Sequence, residues 1–75
     1  MKVKITEMQD FLTAVDDCAG DVYLVYPQGG RENLKGNYTR QAELVDEWRA
    51  AGQCLTLTVD VEEGRDYRRL KHFAA

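Results

Sequence analysis

Hydrophobic and charged side chains alternate at the start of the chain, Val3 and Ile5 against Lys2 and Lys4. A period of two is that of a strand with one buried face, so residues 2–6 are predicted as a half-buried strand ending at Thr6. The period then lengthens. Met8, Phe11, Leu12, Val15, Cys18 and Ala19 recur at three- and four-residue spacings with Asp10, Asp16 and Asp17 between them, which predicts an amphipathic helix. Thr6-Glu7-Met8-Gln9 fits a capping box, the Thr6 hydroxyl accepting from the Gln9 amide, and Gly20 is the expected left-handed stop.

A second strand is predicted over Asp21 to Tyr26, with Val22, Leu24 and Tyr26 on one face and Tyr23 and Val25 on the other. Pro27-Gln28-Gly29-Gly30 then makes a hairpin turn, and Arg31 to Lys35 a charged strand suited to a sheet edge, with Leu34 its one strong hydrophobe. From Thr39 to Ala51 the stripe Leu44, Val45, Trp48 and Ala51 predicts a second helix, stopped by Gly52 and with Trp48 as a core anchor. Leu55, Leu57, Val59 and Val61 alternate with Cys54, Thr56, Thr58 and Asp60, a strand covered on one side only. The final stretch from Glu62 to Phe73 places acids before bases, as a helix dipole favours, with Tyr67, Leu70 and Phe73 inward. The order β-α-β-β-α-β-α predicts an α+β fold, a two-layer open-faced sandwich with three helices on the apolar face of a four-stranded sheet.

Composition adds bounds. With 75 residues, 44% hydrophobic and 31% charged, the chain is expected to be a single domain spanning residues 1–75 that folds without help. No apolar run approaches the roughly 20 residues that span a bilayer, and the N-terminus lacks the apolar core of a signal peptide. The cytoplasm is the expected compartment, and no membrane partner is expected. A net charge of −3 gives no chain-wide attraction to phosphate backbones. Cys18 and Cys54 lie far apart and His72 is the single histidine, so neither a metal site nor a disulfide is expected, and no cofactor is implied.

The element order, with Asp21 to Tyr26, Asn33-Leu34-Lys35 and Leu55-Thr56-Leu57-Thr58-Val59-Asp60, resembles the histidine-containing phosphocarrier protein HPr over most of the chain from residue 11 onward. That resemblance implies an antiparallel sheet of order 1-4-2-3. It also implies where function should reside, because HPr carries phosphate on a histidine of a G-I-H-A-R-P-type segment between the first strand and the first helix. Here Thr6-Glu7-Met8 occupies that place, without histidine, arginine or proline, and Glu7 would repel phosphate. The regulatory serine that follows N-L-K in many relatives is also missing, since this chain contains no serine.

Other constellations point to solvated surface. Neighbouring acids such as Asp16-Asp17, Asp46-Glu47 and Glu62-Glu63 diverge by about 100° on a helix and do not aim at one substrate. Gly29-Gly30 lacks the spacing of a phosphate loop. The run Arg65 to His72 is the most basic and contains Tyr67, which makes nucleic-acid contact an alternative, though not the expected one.

The expected protein is therefore a member of the HPr-like fold that is not an enzyme and acts as a small protein-binding or regulatory module, monomeric or weakly dimeric. A phosphocarrier using an unorthodox residue is a further alternative. In the HPr family partners dock around the starts of the first two helices. The matching stretch places Lys35, Tyr38 and Arg40, with Arg31 nearby, in a candidate protein-docking patch, tyrosine and arginine being favoured at binding hot spots.

Overall fold

A computed structural model describes all 75 residues. In chain order the elements are β1 (Lys2–Ile5), α1 (Met8–Asp17), β2 (Val22–Val25), β3 (Arg31–Asn33), α2 (Tyr38–Ala50), β4 (Leu55–Val61) and α3 (Tyr67–Leu70), with 3-10 turns at Gly64–Asp66 and Lys71–Phe73 flanking α3. The four strands form one antiparallel sheet in the order β1-β4-β2-β3. Alternation along each strand decides its faces. Val3, Ile5, Val22, Leu24, Val59 and Val61 are buried against Met8, Phe11, Leu12 and Val15 of α1, Leu44 of α2 and Leu70 of α3. Lys2, Lys4, Thr56 and Thr58 stand exposed on the uncovered face.

Several boundaries differ from the sequence reading, each for a local reason. Glu7, not Thr6, occupies the cap position of α1, and no side chain caps that end. At the other end Cys18 turns extended (φ −62°, ψ 150°), so the chain leaves the helix before Gly20, which does not adopt the left-handed conformation. Ala19 is exposed rather than part of the stripe. The stop comes instead from Asp66, whose Oδ1 and Oδ2 accept the amides of Ala19 and Gly20, each at 2.9 Å. Gly20 instead makes room for the neighbouring glutamates: a Cβ there would lie 2.7 Å from Cγ of Glu63 and force that side chain to shift.

Both edges of α2 fall one residue earlier than predicted, because the Asn37 side chain accepts the Arg40 amide and sets the start. Its buried face is Gln41 and Leu44, with Val45 and Trp48 half-buried and Ala51 exposed. Gln41 is buried without cost to its amide, which donates to Asp16 and to the Leu34 carbonyl, both at 2.9 Å. Trp48 is less enclosed than expected, but its indole N–H donates to the Ile5 carbonyl at 3.1 Å and so ties α2 to β1.

β2 ends at Val25, and Tyr26 passes into the hairpin turn, its side chain exposed at the margin of the sheet where its hydroxyl meets Glu32 and Arg40. β3 stops at Asn33, beyond which Leu34 is fully buried and donates its amide to the Val22 carbonyl. The predicted last helix resolves into α3 and its two 3-10 turns. There the inward positions are Asp66, Leu70 and, in part, Phe73, whereas Tyr67 turns out and donates to Asp60.

Candidate functional site

The four residues of the predicted patch do not converge. Arg31 lies on the uncovered face of the sheet, its guanidinium 4.2 Å from the centre of the Tyr23 ring and 3.4 Å from Asp60. Glu32 points to the other face, where Arg40 meets it. The Lys35 ammonium donates to the Cys18 carbonyl at the end of α1. Tyr38, in the first turn of α2, is 70% exposed, the most open large hydrophobic side chain in the molecule.

Arg40 is the best anchored of the four. Its Nε donates to Glu32 at 2.9 Å, one terminal nitrogen to Glu47 at 3.0 Å and the other to the Tyr26 hydroxyl at 3.3 Å, while Tyr26 itself donates to Glu32 at 2.8 Å. Burial opposes the guanidinium charge, but the hydrogen bonds to Tyr26, Glu47 and Glu32 prevail and raise its pKa above the ordinary arginine value. The Tyr26 hydroxyl and the Arg40 guanidinium in turn hold Glu32 below the usual carboxylate range. A charged, cross-braced junction thus joins the end of β2, the edge strand β3 and α2.

That junction forms one wall of a cleft. The ladder between β2 and β4 runs from Val22↔Val61 to Leu24↔Val59 and stops, while β4 continues back to Leu55 paired with β1 alone. Continued pairing would set Pro27 opposite Thr56, and proline has no N–H to donate. Tyr26 is meanwhile committed to the turn, giving its amide to Gly30 and accepting from Gly29. The two strands part, and between them opens a cleft of about 340 Å³, floored by Leu55 to Thr58, walled by Leu24 to Pro27 and closed on one side by Arg40 and Glu47.

The polarity of the floor follows from the register. Val59 donates to the Met1 carbonyl and accepts from the Met1 amino group, so the odd-numbered peptide groups of β4 face β1. In an antiparallel ladder the alternate groups face the other way, which directs the backbone N–H and C=O of Thr56 into the cleft. The opening therefore combines a strand edge, apolar walls and a fixed ion-pair network. Pro27 was the sequence signal for it, but its meaning depends on a register that only the folded sheet supplies.

The remaining candidates stand apart from this cleft. His72 packs edge-on against Phe73, with ring centres 5.2 Å apart. Cys18 is buried, its thiol raised by desolvation, and Cys54 is exposed and unpaired. No group of three or more histidine, cysteine or acidic side chains is arranged to hold a metal ion. No helix is long and apolar enough to cross a membrane. Comparison with protein-family models, with curated proteins and with solved structures gave no match for this chain.

Proposed function

We propose that this protein is a small non-catalytic binding module of HPr-like fold that docks an extended segment of a partner protein in the cleft between β2 and β4. The observation that carries the reading is the parting of these strands beside Pro27, which leaves the Thr56 edge of β4 without a strand partner. Strand edges bind extended chains through main-chain hydrogen bonds, and adjacent apolar pockets select alternate side chains. The half-exposed Val25, Leu55 and Leu57 supply the apolar contact, and the Arg40–Glu47 pair supplies charge at the rim. Tyr38 and Tyr26, exposed on the same module, are side chains suited to contact at low entropic cost.

Two features support the HPr-like and non-catalytic parts of the reading. The strand order is the one the resemblance implies, and the segment joining β1 to α1 offers only Thr6 and Glu7 where a phosphocarrier needs its histidine.

Selection from a random peptide library is the test. Enriched peptides should bind a Thr56→Pro variant, which lacks the amide N–H aimed into the cleft, at least about tenfold more weakly, as loss of one main-chain hydrogen bond to a desolvated partner implies. Thr58→Arg, at an exposed position on the rim, checks the result in a variant whose ladder is intact. Undiminished binding by both would refute the site.

A further inference from the structure

A second hollow lies at the other end of the sheet, where β4 ends and β2 begins. It is a shallow, solvent-open depression of about 400 Å³ lined by Ala19, Arg65, Asp66, Arg68 and Arg69. We propose that this hollow binds a phosphoryl or diphosphoryl group of a small anionic ligand, through the guanidinium groups of Arg65, Arg68 and Arg69. The site is independent of the docking cleft and shares no residue with it.

The charge distribution supports the assignment. The ion pairs of the molecule are Arg31–Asp60, Arg40–Glu32 and Arg40–Glu47, so none of the three arginines at the hollow has a carboxylate partner. None donates a side-chain hydrogen bond within the protein, although each carries five donors. Three arginines without an ion-pair partner line one hollow beside a single carboxylate, so the lining carries a net positive charge in a chain of net charge −3. Planar guanidinium forks match phosphate oxygens two at a time, which a dispersed set of lysines does not.

The one carboxylate in the lining is already committed. Asp66 is 1% exposed and both its oxygens accept backbone amides, from Ala19 and Gly20. Those two bonds hold its pKa below the ordinary aspartate value, with Arg65 and Arg69 adding to the effect. Asp66 fixes the wall of the hollow and does not fold the arginines inward into ion pairs. Arg65, Arg68 and Arg69 themselves are exposed and free to close on a ligand.

The experiment is an amide chemical-shift titration of the intact protein at low ionic strength with pyrophosphate, and in parallel with a single-stranded oligonucleotide at equal phosphate concentration. Pyrophosphate should saturate with one-to-one stoichiometry and shift the amides of Ala19, Gly20 and residues 65–69. Arg68→Gln and Arg69→Gln should each weaken it about tenfold, the loss of one charge-assisted contact. Arg49→Gln, which removes an equally unpaired arginine elsewhere, should leave the affinity unchanged. Shifts spread evenly over all basic residues, equal affinity in the Arg68 and Arg69 variants, or binding of the oligonucleotide alone would each overturn the proposal.

Discussion

Asp66 and Ala19 stand 47 positions apart in the chain and meet through a 2.9 Å hydrogen bond from the Ala19 amide to the Asp66 carboxylate, with the Gly20 amide held by the second oxygen. One buried side chain thus terminates α1 and anchors the C-terminal segment beneath it.

The same pair makes stability depend on acid. Asp66 has a native pKa below its unfolded value, which is near ~3.9 for an ordinary aspartate. Its contribution is complete above that value and is lost as pH falls through the depressed native pKa, because the unfolded chain then binds a proton that the folded one does not. In Asp66→Asn one carboxylate oxygen becomes an NH₂ that faces a backbone N–H. The variant should melt about 5 °C or more below wild type at pH 7 and lose part of the acid-side slope. Thermal melts at a series of pH values check this, and an unchanged slope would contradict the role of Asp66.

Arg40 should behave as a three-way brace and not as a surface charge. Arg40→Ala is expected to cost about 1–2 kcal/mol, above the usual range for exposed pairs, since it removes the one guanidinium that Glu32, Glu47 and Tyr26 share. Arg40→Lys should recover little, because a single ammonium cannot reach Glu32, Glu47 and Tyr26 together. Chemical denaturation measures both, and full rescue by lysine would refute the brace.

Trp48 is half-buried and hydrogen-bonded to Ile5, so its fluorescence should be partly quenched by iodide, between the limits of a free and a fully enclosed indole. Trp48→Ala should destabilise by about 3 kcal/mol, the lower end of the range for large aromatic truncations. Complete shielding from iodide would show a more enclosed site than the packing of α2 provides.

The amide of Thr56 should exchange with deuterium much faster than those of Leu57 and Val59 further along the same strand. Leu57 and Val59 face β1, whereas Thr56 faces the cleft. Residue-resolved exchange checks the alternation, and equal protection along β4 would mean that β2 closes over it.

The legible part of this molecule was its periodicity. Val3 and Ile5, the α1 stripe from Met8 to Cys18, and Leu55 to Val61 all read directly as faces, and the sheet order came from the resemblance that these short strands carry. What escaped the sequence was polar and long-range. Asp66 sits at a buried position of the last helical segment together with Leu70, and a stripe search passes over an aspartate and selects Tyr67. Its partners, the amides of Ala19 and Gly20, carry no side-chain signal. Lys35, Tyr38, Arg40 and Arg31 are near neighbours in sequence, but strand alternation sends Arg31 to the face opposite Glu32, and beyond the strand Lys35 turns to the Cys18 carbonyl at the end of α1. The cleft was hidden because Pro27 reads as a turn residue until the register sets it opposite Thr56.

The central claim, that a partner's extended segment docks between β2 and β4, is tested most directly by an amide chemical-shift titration with a library-selected peptide. The account predicts perturbations centred on Val25, Tyr26, Thr56 and Thr58, with slowed exchange of the Thr56 amide in the complex. Perturbations centred on Tyr38 or on residues 65–69, with the amides of Thr56 and Thr58 unmoved, would contradict it.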